Sequence, residues 1–150
     1  MLYTTKNAAE TEALGERLAE LLDAAGIARA FIAMRGEMGV GKTAFVRGFA
    51  RYFNIWGVKS PTYTIVNEHR GRVSLFHFDM YRIESEDDLY SIGFDDYVAR
   101  DGFAIAEWSE NVTEFLPDEK ICVSISRVDG DAESREINIT TDGIYENIGI

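Results

Sequence analysis

Short, mostly apolar runs recur along the chain and predict the strands of a buried sheet. The runs at 30–34 and 103–107 contain almost no polar residues, which is typical of parallel strands covered on both faces. A polar turn at 128–131 separates the last two runs and predicts a hairpin near the end of the chain. The predicted strands are 30–34, 64–69, 73–79, 103–107, 121–125 and 136–140.

Helical spacing of apolar residues predicts helices between these strands. Asn7 opens a variant of the capping box ahead of a stripe of leucines, and Gly26 follows that stripe as a stop signal. A second helix is predicted at 43–53, and the acidic stretch at 84–97 is weakly helical. Because strands and helices are mixed, with neither repeats nor a linker, we expect a single α/β domain over residues 1–150.

The segment 36–43 reads G-E-M-G-V-G-K-T and fits the phosphate-binding pattern G-x-x-x-x-G-K-S/T. Its glycines allow successive backbone N–H groups to turn inward around an anion, while Lys42 brings a charge to the outer phosphates and Thr43 a hydroxyl for Mg²⁺. A glycine-rich turn with an incidental lysine would look similar, but here a predicted strand precedes the loop and a helix follows it. The loop residues expected at the nucleotide are Glu37, Met38, Gly39, Val40, Gly41, Lys42 and Thr43.

Two acids end apolar strands and are candidates for the metal chemistry of such a site. Asp79 closes the run at 73–79, and Glu107 closes the run at 103–107. Carboxylates at strand ends beside a phosphate loop supply or orient the oxygen ligands that Mg²⁺ prefers. The alternative is that each acid is a solvated strand terminus. His77 lies two residues before Asp79, and we interpret it as a structural histidine, since Mg²⁺ disfavours nitrogen ligands.

The hydroxyl-rich segment 60–64 follows the loop helix and contains Thr62. Many phosphate-loop enzymes place here a segment that contacts the γ-phosphate, completing the metal site or holding the attacking water. The alternative is a proline turn that leads into a strand.

Charge and cysteine content limit the other possibilities. A net charge of −11 argues against broad, nonspecific nucleic-acid binding, which requires a basic face, although a partner could carry that face. The single cysteine, Cys122, excludes an internal disulfide and is expected to fill the core. No apolar run approaches the ~20 residues of a membrane helix, and the N-terminus does not resemble a signal peptide, so we expect a cytoplasmic protein without membrane contact.

Four segments together resemble one family: the phosphate loop at 36–43, S-P-T-Y-T at 60–64, H-F-D-M-Y-R at 77–82, and E-W at 107–108. The chain resembles the TsaE (YjeE) family, the P-loop ATPases of bacterial tRNA threonylcarbamoyladenosine (t6A) biosynthesis, over nearly its whole length. The resemblance implies a P-loop NTPase-like three-layer α/β fold with a mixed parallel and antiparallel sheet. It also implies ATP hydrolysis with Mg²⁺ alongside the TsaB–TsaD pair, with tRNA reached only through that complex.

The same resemblance implies roles for individual residues. Lys42 would contact the phosphates, Thr43 and Glu107 would hold Mg²⁺, and Asp79 would be the Walker-B-like acid. Thr11 matches a family threonine near the nucleotide, and Arg135 on the hairpin matches a family arginine near the base. The residues expected to act in catalysis are Lys42, Asp79 and Thr62. The chain departs from the usual family pattern at Glu37, Met38, Val40 and Ser109.

Three other functions compete with this interpretation. A small nucleotide or metabolite kinase would need an acceptor pocket and an arginine-rich lid, whereas the segment 84–96 is acidic. A GTPase would need an Asn-Lys-x-Asp motif, which the sequence lacks. A nucleotide-dependent binding module with negligible turnover needs the same loop, so the sequence separates it poorly from an ATPase.

Overall fold

The computed structural model describes residues 1–61 and 65–150. Within these residues, the strands are β1 Leu2–Thr5, β2 Arg29–Arg35, β3 Val66–Arg70, β4 Ser74–Asp79, β5 Gly102–Glu107, β6 Ile121–Val128 and β7 Asp131–Thr141. The α-helices are α1 Ala8–Ala24, α2 Lys42–Tyr52, α3 Glu86–Ser91 and α4 Phe94–Ala99. Two 3-10 helices cover Ser109–Phe115 and Gly143–Tyr145. No helix in these ranges is both long enough and apolar enough to cross a lipid bilayer.

The described strands form one mixed sheet in the order β1-β7-β6-β2-β5-β4-β3. Strand β2 lies in the centre, parallel to β5 and β6, and β4 pairs in parallel with β5. The outer pairs, β3 with β4, β6 with β7, and β7 with β1, are antiparallel. The predicted mixed α/β sheet and its terminal hairpin are therefore confirmed.

Helices cover both faces of the sheet and complete three layers. On one face, α1 and α2 pack over the even-numbered side chains of β2, such as Ile32 and Met34. On the other face, α3, α4 and the first 3-10 helix cover Phe31 and Ala33. Alternate side chains of the central strand thus enter two separate apolar clusters, as the nearly continuous apolar run predicted.

The first helix begins where its sequence predicts. Asn7 is the N-cap, and its side-chain oxygen accepts a hydrogen bond of 2.9 Å from the Glu10 backbone N–H. The helix crosses α2 so closely that a Cβ atom at Gly48 would collide with the Glu12 carbonyl of α1. This close crossing brings the start of α1 next to the loop that precedes α2.

The structure differs from the sequence prediction in several of the described elements. The stretch predicted as one weak helix at 84–97 forms two short helices, separated by Gly93 in the left-handed conformation (φ 73°). Strand β1 and the 3-10 helix Ser109–Phe115 were not predicted. The start of the strand predicted at 64 falls on a residue outside the described ranges, and the described strand begins at Val66.

Candidate functional site

The phosphate-loop segment joins the end of β2 to the start of α2. Gly39 and Gly41 have φ values of 73° and 115°, and Gly36 has a φ of 149° with no room for a Cβ atom beside the Ile125 carbonyl. Gly41 is also the N-cap of α2, where it supplies no side-chain cap for the first helical N–H groups. The backbone therefore adopts the glycine-dependent turn that the pattern predicts, and it leads into a helix N-terminus suited to anions.

Lys42 is the first residue of α2, and the residue is buried at the wall of a cavity. The Nζ atom donates a 2.5 Å hydrogen bond to the Gly36 carbonyl and lies 3.9 Å from the centroid of the Trp108 ring. Burial lowers the pKa of Lys42 from its ordinary value, while the nearby carboxylates of Glu107, Glu110 and Asp79 oppose that shift. An anion bound in the loop would add to the charges that favour the protonated amine.

The hydroxyl of Thr43 faces the segment that follows α2. Its Oγ1 atom lies 2.5 Å from the Ser60 Oγ atom, at hydrogen-bonding distance. Ser60 and Pro61 line the same cavity as Thr43, so the start of the predicted γ-phosphate segment does reach the site. Thr62, the residue of that segment predicted to act in catalysis, lies outside the described residues.

The two strand-end acids lie side by side. Asp79 and Glu107 are register partners on the parallel strands β4 and β5. Glu107 is buried, and its Oε2 atom lies 2.5 Å from His77 Nε2. The Asp79 carboxylate is partly exposed, and its Oδ1 atom accepts a 3.0 Å hydrogen bond from the Tyr81 backbone N–H. His77 is fully buried, as expected of a structural residue, but it also contacts a predicted metal ligand.

These groups meet at a cavity of about 550 Å³, a volume in the range of small-ligand sites. The predicted site residues that line it are Met38, Gly39, Gly41, Lys42, Thr43, Asp79 and Glu107. The wall of the cavity on the side of β4 and β5 also includes Tyr81, Arg82 and Trp108. Glu37 and Val40 are absent from the lining: Glu37 is exposed, and the Val40 side chain is buried in the core. We therefore expect these two to approach a nucleotide through their backbone.

Thr11 and Arg135 contact the loop away from the acids. Thr11 is buried, its hydroxyl lies 2.8 Å from the Thr5 hydroxyl, and its methyl group is close to Gly41. Arg135 donates a 2.6 Å hydrogen bond from Nε to the Val40 carbonyl. A second cavity, of about 410 Å³, lies between the start of α1 and the hairpin and includes Arg135 in its lining.

One loop contact was missed in the sequence. Arg127 on β6 donates a 3.4 Å hydrogen bond from Nη2 to the Met38 carbonyl, and its Nε atom lies 3.9 Å from the Glu37 carboxylate. Nothing in the local pattern distinguishes Arg127 from other hairpin arginines, because its partners lie almost ninety residues earlier in the chain. Glu37, a departure from the family pattern, thus has a charged partner across the loop.

The oxygen groups present fit Mg²⁺ better than a softer metal. One hydroxyl and two carboxylates line the same cavity: the hydroxyl of Thr43 and the carboxylates of Asp79 and Glu107. These are the hard oxygen ligands that Mg²⁺ prefers. Within residues 1–61 and 65–150, no group of three or more His, Cys, Asp or Glu side chains is arranged to hold a metal ion alone. Mg²⁺ needs no such cage, because it typically keeps several waters and binds through one or two carboxylates plus substrate phosphates.

Comparison with known proteins identifies the family. The family described as "Threonylcarbamoyl adenosine biosynthesis protein TsaE" matches residues 5–137. The chain belongs to the TsaE family. The match extends from β1 into β7 and includes every predicted site residue.

Individual relatives agree with this assignment. The tRNA threonylcarbamoyladenosine biosynthesis protein TsaE of Bacillus subtilis is 36% identical, over 94% of this chain and 85% of the relative. The protein of the same name from Treponema pallidum is 32% identical, over 93% of this chain and 99% of the relative. The crystal structure of Bacillus subtilis YdiB superposes with a TM-score of 0.76 at 30% identity, covering 97% of this chain and 88% of YdiB. The family's fold therefore extends over nearly the whole chain.

Proposed function

We propose that this protein is the Mg²⁺-dependent ATPase of a bacterial t6A-forming machinery, acting in the cytoplasm with TsaB–TsaD and reaching tRNA only through that complex. The observation that carries the proposal is the meeting of Lys42, Thr43, Asp79 and Glu107 around one cavity at the end of a phosphate loop. The relatives are named as tRNA threonylcarbamoyladenosine biosynthesis proteins, and the family match extends over most of this chain.

Each of these groups has a distinct task in binding ATP. The backbone N–H groups around Gly39 and Gly41, together with Lys42, bind and orient the phosphates. Thr43 and Glu107 would hold Mg²⁺, which would neutralise charge that develops on the phosphate oxygens during transfer to water. Asp79, whose carboxylate is fixed by the Tyr81 N–H, orients water at the same cavity. Thr62 is proposed to contact the γ-phosphate from the segment that begins at Ser60.

ATP must displace contacts that the protein makes with itself. Lys42 is held by the Gly36 carbonyl, and Thr43 by the Ser60 hydroxyl. Phosphate oxygens would replace the carbonyl as acceptor for Lys42, so a charge-assisted bond to an anion takes the place of one to a neutral group. Release of Thr43 from Ser60 would couple nucleotide binding to a change in the contacts of Ser60.

The placement of the arginines supports the proposal that intrinsic turnover is low. Among the described residues, Arg82 is the arginine that lines the cavity, while Arg127 and Arg135 are bound to loop carbonyls. An arginine supplied by a partner is worth roughly 10³–10⁵-fold in comparable enzymes. We therefore propose that TsaB–TsaD stimulates hydrolysis, and that the net charge of −11 favours docking onto a basic surface.

The kinase alternative is less well supported. A kinase lid would have to close over the cavity, and the acidic segment that could have formed one folds into α3 and α4. These helices pack on the face of the sheet opposite α1 and α2, and none of the described residues lining the cavity belongs to them. The acidic segment therefore has a packing role away from the nucleotide.

Reconstitution tests the proposal. ATP turnover should be slow for the protein alone and should rise strongly with purified TsaB–TsaD, and the gain should shrink at high salt if charge steers docking. The matched control is Lys42→Ala with the same partners, which should show no gain. A fast ATPase that does not respond to TsaB–TsaD would contradict the partner-dependent mechanism and favour the kinase.

A further inference from the structure

A buried histidine–carboxylate pair lies directly beneath the proposed metal site. His77 on β4 and Glu107 on β5 point to the face of the sheet covered by α1 and α2, and neither is more than 4% exposed. The His77 Nε2 atom lies 2.5 Å from Glu107 Oε2. Because a carboxylate only accepts hydrogen bonds, the Nε2–H group is the donor, and this contact fixes the tautomer of the ring.

Packing alone does not account for a histidine at this position. Its neighbours on the same face include Leu75, two residues earlier, and Ile105, its register partner on β5. The other ring nitrogen, Nδ1, is buried with no hydrogen-bond partner among the described residues. Burying a polar ring with one nitrogen unsatisfied costs stability, whereas an apolar side chain of similar size would not carry that cost. The polar function of His77 is therefore its bond to Glu107.

We propose that His77 is a positioning residue that orients the Glu107 carboxylate for metal binding. The inference rests on the proposed function, in which Glu107 is a Mg²⁺ ligand. Occupation of Oε2 by His77 leaves Oε1 as the oxygen available to the cavity, and it restricts rotation of a carboxylate that has no other hydrogen bond from a described side chain. Partners of this kind orient metal ligands in many proteins, and their loss typically lowers metal affinity by about 10–100-fold.

The neighbouring acid is positioned differently, which makes the inference specific. Asp79 takes its hydrogen bond from the Tyr81 backbone N–H and not from His77. Removing the imidazole should therefore release Glu107 and leave the Asp79 contact intact. The effect should appear in metal dependence rather than in the affinity of the loop for phosphates.

Two polar variants of His77 separate positioning from packing. In His77→Gln the side-chain amide reaches about as far as Nε2 and can still donate to Glu107. In His77→Asn the amide ends near the position of Nδ1 and cannot. His69→Gln is the matched control, since His69 is a partly buried histidine on the adjacent strand β3 that does not line the cavity.

The experiment measures ATP affinity of the isolated protein as Mg²⁺ is titrated, and again in EDTA. For His77→Asn the Mg²⁺ concentration at half-effect should rise by about 10–100-fold, with unchanged affinity in EDTA. His77→Gln should keep most of the parent's midpoint, and His69→Gln all of it. If His77→Asn does not fold, His77→Leu, which also lacks a donor, takes its place.

Two results would overturn the inference. One is an unchanged Mg²⁺ midpoint in His77→Asn. The other is an equal loss of affinity in Mg²⁺ and in EDTA for both the Asn and Gln variants, which would assign His77 to packing alone. A parent protein that binds ATP without any dependence on Mg²⁺ would instead contradict the proposed function itself, and the two failures are therefore distinguishable.

Discussion

Asp79 and Glu107 are register partners on adjacent parallel strands, yet their carboxylates have different surroundings. Glu107 is buried and hydrogen-bonded to His77, whereas Asp79 is partly exposed and hydrogen-bonded to a backbone N–H group two residues ahead. A buried, oriented carboxylate suits direct contact with a metal ion. A partly exposed carboxylate at the same edge suits contact with water.

The two acids should therefore fail in different ways when substituted. Glu107→Ala should raise the Mg²⁺ concentration needed for ATP hydrolysis, because it removes a proposed ligand. Asp79→Asn keeps the shape of the side chain but loses its charge, so it should mainly lower turnover, by roughly a hundredfold or about 3 kcal/mol. Turnover measured across a Mg²⁺ titration distinguishes them, and identical curves for the two variants would refute the division of roles.

Nucleotide binding should be visible in the fluorescence of Trp108. The Lys42 ammonium lies 3.9 Å from the centroid of this ring, so movement of Lys42 toward phosphates would change the environment of the indole. The other tryptophan, Trp56, is exposed and hydrogen-bonded to Asn54. Trp56→Phe should keep the ATP-dependent change, and Trp108→Phe should lose it. If the ATP-dependent change is lost in Trp56→Phe and kept in Trp108→Phe, the signal does not come from Trp108, and the expected movement of Lys42 away from this ring is contradicted.

The close crossing of α1 and α2 should make Gly48 sensitive to a single methyl group. Helix propensity alone predicts that Gly48→Ala stabilises the protein by about 1 kcal/mol. The new Cβ atom would instead collide with the Glu12 backbone carbonyl, and overpacking of this kind typically costs about 1–3 kcal/mol. Urea unfolding gives the sign directly. A more stable variant would mean that the two helices separate easily.

Local patterns in the sequence predicted much of the geometry of the candidate site. The phosphate-loop segment contains Gly41, Lys42 and Thr43, and its geometry depends on its own glycines. The two acids are the last residues of apolar strands, Asp79 of β4 and Glu107 of β5. Parallel pairing then brings the two acids together, as expected for the carboxyl ends of neighbouring strands. The family resemblance supplied Thr11 and Arg135, whose contacts with the loop depend on tertiary packing.

The features that were missed depend on long-range contacts. Strand β1 is a short edge strand held by β7, and its Leu2 side chain is 59% exposed, so it has no apolar run to reveal it. Arg127 acquires its role only when the hairpin lies beside the loop. Ser109 donates a 2.9 Å hydrogen bond to the Met34 carbonyl, 75 residues earlier in the chain, and no local pattern reveals this contact.

The most direct test of the account is Mg²⁺-dependent ATP turnover by the parent protein and by Lys42→Ala. Lys42 lies at the end of the phosphate loop, in the wall of the cavity and close to the carboxylates of Asp79 and Glu107. Among the described side chains that line the cavity, Arg82 is the other positively charged group. We expect Lys42→Ala to remain folded, with the circular dichroism spectrum of the parent, and to lose ATP binding or hydrolysis. Equal turnover of Lys42→Ala and the parent would contradict the assignment of this cavity as the site of ATP hydrolysis.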